Sequence, residues 1–176
     1  MDKYLIDAEK VSLSSQNILD ITDNQTTILE YSDLHQFETL DQAFGGKPAI
    51  ALLYQAKENF GHWVAIINYE DSIEFFDPYG LYLDEELDFS LYNKSLHQGK
   101  PVKHLTQLIQ ETNKKLIVNR KRLQRFKKDV NTCGRHTALR IKMRKFSLPQ
   151  YIKLMSANKC YDADFWATVL TINYSI

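Results

Sequence analysis

Four side chains in this 176-residue chain are of the types that thiol chemistry requires. Acyl transfer through a thiolate needs the thiol, a base to take its proton, a group to orient that base, and donors for the oxyanion. Cys133 offers the thiol. It stands in Asn131-Thr132-Cys133-Gly134, directly ahead of Ala138, Leu139, Ile141 and Met143 at helical spacing. A thiol at a helix start meets unpaired backbone N–H groups and the positive end of the helix dipole, and both favour the thiolate. Helix N-termini and histidine partners bring a cysteine from about 8.5 to roughly 3.5–7.5. On position alone, a buried and inert cysteine is the favoured reading. Gly134 leaves room for a substrate backbone beside the thiol.

His62 offers the base. It follows Gly61 and precedes the apolar run Trp63–Tyr69. At a strand end its ring reaches over the sheet edge, where a neutral imidazole can accept a proton. Read singly, it is a turn histidine, and Trp63 is a core residue with a second reading in substrate binding. Asp77 ends the next run, Ile73–Phe76. Antiparallel pairing of the two runs brings position 77 beside 62 or 63, where a carboxylate fixes the imidazole tautomer and stabilises the imidazolium. Asp77 is also a turn former before Pro78, and the two roles are compatible. Gln124 can donate its amide to the oxyanion, as can the backbone N–H of Cys133; losing one such donor costs about 10²–10³ in rate. Its other reading is a solvated glutamine in a basic segment.

Within the chain, His136 competes as the base, sharing a helical face with Cys133. It has no carboxylate close in sequence, so it is placed outside the reacting groups. Cys133 and His136 form a C-x-x-H fragment, but zinc asks for three or four ligands and no second Cys/His cluster follows, so no metal site is expected. Cys160 is expected to be structural, and His35, His97 and His104 lack a context that would recruit them. There is no glycine-rich phosphate loop and no G-x-S-x-G elbow.

Short apolar runs supply the elements that must hold these groups. Ala49–Tyr54, Trp63–Tyr69 and Ile73–Phe76 read as adjacent strands, the last two as a hairpin through Glu70-Asp71-Ser72. Asp77-Pro78-Tyr79-Gly80 is a turn. Thr26–Tyr31 and Leu116–Val118 are further strand candidates. Helices are predicted near Ser15–Asp20; from Ser32, with Leu34, Phe37 and Leu40 on one stripe and Gly45-Gly46 at the end; behind Pro101, with Leu105, Leu108 and Ile109; from Cys133; from Ser147-Leu148-Pro149; and over Asp162–Leu170. Strands early and helices late give an α+β fold, a central sheet with helices around it. Without repeats or a long linker, residues 1–176 read as one domain: an N-terminal region 1–47, a core 48–145 and C-terminal helices 146–176.

Hydrophobic residues make up 44% of the chain and aromatics 12%, enough for a packed core. Two cysteines outside any CxxC pair exclude a disulfide scaffold and fit a reducing, intracellular setting. Neither a signal segment nor a run of about 18 apolar residues is seen, so neither secretion nor a membrane span is expected. The net charge of zero hides a division. Residues 1–91 carry 18 Asp/Glu and 4 Lys/Arg, a net −14; residues 92–176 carry 4 and 18, a net +14. Lys114, Lys115, Arg120, Lys121, Arg122, Arg125, Lys127 and Lys128 form the densest part. The division reads in two ways: the halves pack together with their charges facing, or the cluster contacts a polyanion. Segment 114–125 lacks interleaved aromatics, which leaves non-specific phosphate contact as the form DNA binding would take.

The segments Gly61-His62-Trp63-Val64, Phe76-Asp77-Pro78-Tyr79-Gly80, Leu123-Gln124 and Asn131-Thr132-Cys133-Gly134-Arg135-His136 occur in that order. Together they resemble the adenain-like cysteine proteases, viral maturation enzymes with relatives in virophages and large DNA transposons; Ulp-type proteases, specific for ubiquitin-like proteins, share their fold. The resemblance covers residues 48 to 145. It implies a papain-like fold, circularly permuted, with a central mixed sheet flanked by helices. It also implies roles: His62 as general base, Asp77 as its orienting carboxylate, Gln124 as oxyanion donor, Cys133 as nucleophile. Gln124 and Cys133 are nine residues apart, more than is usual in that family, and the excess would loop out through Lys127–Val130. The implied substrates are capsid or virion precursors, in the virion or inside the host cell. No cofactor is required for the chemistry; DNA or an activating peptide would be accessory. A peptidase for ubiquitin-like modifiers is the alternative with the same chemistry, and a nucleic-acid-binding module the alternative without it.

Overall fold

A computed structural model describes residues 3–57, 60–89, 102–158 and 160–174. Five strands form one mixed sheet in the order β1 (Thr26–Glu30), β2 (Ala49–Lys57), β3 (Phe60–Asn68), β4 (Ser72–Phe76) and β5 (Lys115–Val118). β2–β3 and β3–β4 pair antiparallel, while both edge strands join in parallel. The three central apolar runs are therefore adjacent, as their sequence predicts.

β3 is apolar on both faces because both are covered. Trp63, Ala65 and Ile67 belong to one core cluster, and Val64 and Ile66 to another. On the first side lie α2 (Ser15–Ile21), α5 (Cys133–Lys142), α6 (Leu148–Met155) and α7 (Ala163–Thr171), through residues such as Ile18, Ile141, Tyr151 and Ala167. On the other lie α3 (Leu40–Phe44) and α4 (His104–Gln110), with Leu40, Phe44, Leu105 and Leu108 buried. The fold is α+β, a mixed sheet between helical layers.

Several ends are set by local chemistry. Ser147 caps α6 in a reciprocal box with Gln150, and Asp162 caps α7 through the Phe165 N–H. The helix expected from Ser32 to Gly45 is two pieces. Tyr31–Gln36 is a 3₁₀ turn, Phe37 is extended, and α3 restarts behind Thr39, whose hydroxyl and the Gln42 amide form a second capping box. That cap competes with the Leu34–Phe37–Leu40 stripe and divides it. Gly45 closes α3 at φ +58°, as expected. The first helix, α1 (Lys3–Glu9), has no sequence signal of its own and owes its place to tertiary contacts. Pro101, read as the start of α4, lies outside the described residues, as does His97.

Candidate active site

His62 is set in place by a glycine. At Gly61 an added Cβ would lie 2.3 Å from the Tyr54 carbonyl oxygen, so only glycine lets β3 approach β2 here. The ladder then irregularly shifts between Gln55 and Lys57, while His62 stays paired with Tyr54. The β3–β4 register ends at Ala65 opposite Phe76, which carries Asp77 towards Val64 rather than to 62 or 63. Its carboxylate spans the difference: Asp77 Oδ1 is 3.1 Å from His62 Nε2. Two further contacts fix Asp77. The Tyr79 N–H donates to Oδ1 at 2.6 Å, and Asn119 Nδ2 donates to the Asp77 carbonyl at 2.7 Å. Gly80, at φ +76°, lets this turn pass close to the backbone of Arg120 and Lys121.

Cys133 is the first residue of α5, and Thr132 makes no side-chain cap, which leaves the first-turn N–H groups facing the cleft end of the helix. Cys133 and His62 are each 8% exposed, so both reach solvent only through a narrow opening. Burial would push the His62 imidazole down. The Asp77 charge, the hydrogen bond to it, and the hydrogen bond and charge of Cys133 outweigh that and hold the ring well above its ordinary value. Tyr79 covers the ring, stacked at 4.6 Å, and is covered in turn by Phe126, edge-on at 5.4 Å. Tyr79 was not singled out in the sequence; its place in the Asp77-Pro78-Tyr79-Gly80 turn was the available signal.

Cys133, Gly61 and Ser12 stand where two cavities meet. One, about 120 Å³, is lined by His62, Tyr79, Glu86 and Gln124. The other, about 270 Å³, is lined by Leu13, Ser14, Leu53, Gln55 and Trp63. Part of the N-terminal region thus forms the cleft wall. Trp63 is both a core residue and a wall of the second cavity. At Gly134 an added Cβ would meet Leu13 at 3.2 Å and Trp63 at 3.3 Å, so the glycine serves the packing of α5 against them.

Gln124 arrives at the same cleft, because its backbone N–H and that of Leu123 both donate to the Pro78 carbonyl oxygen. Its Nε2 donates to the Val130 carbonyl at 3.1 Å, one of that nitrogen's two hydrogens. The nine-residue spacing to Cys133 is absorbed by a loop pinned from outside. Asn131 N–H donates to the Glu9 carbonyl and its side chain to the Lys10 carbonyl; Arg125 pairs with Glu9, Asp162 and Asp164. Asp164 also accepts from Thr132 Oγ1 and lies 3.0 Å from His136 Nε2. Burial would raise the Asp164 carboxyl, but His136, Thr132 and the Arg125 N–H together hold it below its ordinary value. His136 therefore has a carboxylate after all, distant in sequence, and is fully buried with it.

The eight-cation cluster divides. Arg125 belongs to this buried network, and Lys114 donates to Asn68 Oδ1 and the Tyr69 carbonyl. The charge of Arg125 is thereby committed to carboxylates, which corrects its assignment to a polyanion surface, while Lys114 is held by two neutral oxygens. Lys115, Arg120, Lys121, Arg122, Lys127 and Lys128 are exposed, with Arg120 3.6 Å from Glu85. Cys160, expected to be structural, is exposed. Among the described residues, no helix is long and apolar enough to cross a membrane.

The fold is Ulp-like and papain-like. It matches crystal structures of the ASFV pS273R protease in native and selenomethionine form with TM-scores of 0.52 and 0.53, covering 92% of this chain and 67% of that one at 16% identity. No family model matches the chain. It is 35% identical over 170 residues to the uncharacterized protein V9 of the Sputnik virophage, across 93% of this chain and 96% of V9, and it belongs to the family of that protein.

Proposed function

We propose that the chain is a cysteine endopeptidase acting through Cys133, His62, Asp77 and Gln124. The observation that carries this reading is the His62 Nε2–Asp77 Oδ1 pair at 3.1 Å on one wall of a cleft whose other wall is Cys133, at the start of a helix. With Nε2 committed to Asp77, Nδ1 is the ring nitrogen left to take the thiol proton. The resulting thiolate attacks the scissile carbonyl carbon. The oxyanion that forms accepts from the Cys133 N–H and the free hydrogen of Gln124 Nε2. Collapse breaks the C–N bond, and the imidazolium returns its proton to the leaving amine. Water, deprotonated by His62, then hydrolyses the thioester and regenerates the thiol. The fold shared with a viral protease supports this reading.

The substrates we propose are capsid or virion precursor polypeptides, which accords with the virophage relative. Co-expression with a capsid precursor tests it: Cys133→Ala abolishes cleavage, and undiminished cleavage by that variant removes the assignment. The six exposed cations support a non-specific DNA contact as an accessory to the same enzyme, seen as a linear fall of log K with log salt.

A further inference from the structure

Glu86 lies on the 3₁₀ turn Glu85–Phe89 and lines the smaller cavity with His62 and Cys133. Its neighbour Glu85 does ordinary surface work, accepting from the Tyr82 N–H at 2.6 Å and pairing with Arg120. Glu86 differs. It is 9% exposed, and its Oε1 is 3.9 Å from His62 Nε2, the same nitrogen that faces Asp77. A ring nitrogen of His62 and one carboxylate oxygen each of Asp77 and Glu86 all lie within 4.8 Å of one another. Among the described residues, His62 is the only cation within ion-pair distance of either carboxylate. Asp77 Oδ2 is buried with no hydrogen-bond partner among them. Two carboxylates thus share one imidazole.

We infer that Glu86 is a second positioning residue for His62, its charge adding to that of Asp77 in favour of the imidazolium. The inference rests on His62 being the base of the proposed protease. The groups that face the ring are Asp77 from the turn after β4, Tyr79 stacked on it, Cys133 from α5 and Glu86 from the 3₁₀ turn. Asp77, at hydrogen-bond distance, sets the ring's orientation. Glu86, beyond that distance, acts through its charge. In a site so little exposed such a charge is poorly screened, and it extends the pH range over which the thiolate–imidazolium pair survives. Burial raises the Glu86 carboxyl itself; the His62 charge offsets part of this, and Asp77 and Glu85 add to it.

The test is the titration of the His62 ring by NMR on the ¹⁵N-labelled protein. It needs no substrate, so it stands or fails apart from peptide cleavage. Glu86→Gln keeps the shape and removes the charge, and it is expected to lower the pH at which His62 deprotonates by about one unit or more. Glu85→Gln is expected to leave it in place. In the unaltered protein, the ring is expected to sense a second, smaller inflection as Glu86 titrates, an inflection absent from Glu86→Gln. A His62 titration unmoved by Glu86→Gln, or moved equally by Glu85→Gln, overturns the inference. If Glu86→Gln does not fold, the unaltered protein decides alone, and a single inflection in its ring titration overturns it.

Discussion

His62 holds more of this account than any other residue, and its protonation has a consequence for folding. Its imidazole sits well above the ordinary value in the folded protein, under burial that opposes and an Asp77 charge that prevails. The folded state therefore binds this proton more tightly than the unfolded chain. The stability gained is complete below the unfolded value of about 6.5 and is lost as pH rises through the higher folded value. Urea midpoints measured across this window should fall towards alkaline pH, and the fall should be shallower in His62→Gln. An equal fall in both proteins would mean that the ring is not held protonated. The sequence made His62 and Asp77 legible as a pair because a hairpin brings its two ends together, although the register places Asp77 one or two positions from where simple pairing puts it. Glu86 was not legible, since nothing in Asp84-Glu85-Glu86 distinguishes the buried acid from the exposed one until the 3₁₀ turn orients them.

At the scale of elements, the site depends on how the start of α5 is anchored. Asp164, from α7, accepts from Thr132 beside Cys133, from both the backbone and side chain of Arg125 next to Gln124, and faces His136. One carboxylate thus ties together the helix that bears Cys133 and the loop that bears Gln124. Asp164→Ala leaves buried His136 and Thr132 without their carboxylate, while Arg125 keeps Glu9 and Asp162, and a loss of roughly 1–3 kcal/mol is expected from the buried polar groups left unpaired. Chemical denaturation measures it; a loss below about 1 kcal/mol would show that the network is not needed. The sign with pH is the reverse of that for His62. Because the Asp164 carboxyl is held low, its contribution is present above about 3.8 and disappears as pH falls through the lower folded value. The network could not be read from the chain, for its members come from residues 9, 125, 132, 136 and 164, and sequence patterns report only neighbours. The strands, the helix from Cys133 and the capped helices at Ser147 and Asp162 could be read, because each rests on local periodicity or a local cap.

For the whole molecule, the division of charge along the chain becomes pairing across the fold. Arg125 meets Glu9, Arg140 meets buried Glu74 at 2.6 Å, Lys142 meets Asp23 and Arg120 meets Glu85, each pair joining the basic half to the acidic half. The parallel pairing of β4 with β5 and the packing of α5 on β3 join the same halves through backbone and core. The site lies on that junction: His62 and Asp77 come from the acidic half, Gln124 and Cys133 from the basic one. The proposed activation of Cys133 therefore requires both halves to be in place, and the reactivity of that thiol tests the entire arrangement. The most direct measurement is the rate of Cys133 alkylation by iodoacetamide as a function of pH, with and without His62→Ala, in a Cys160→Ser background because Cys160 is exposed. The account expects a rate that stays high well below pH 8 and collapses when His62 is removed. A rate that follows an ordinary thiol, with a midpoint near 8.5 in both proteins, would contradict it.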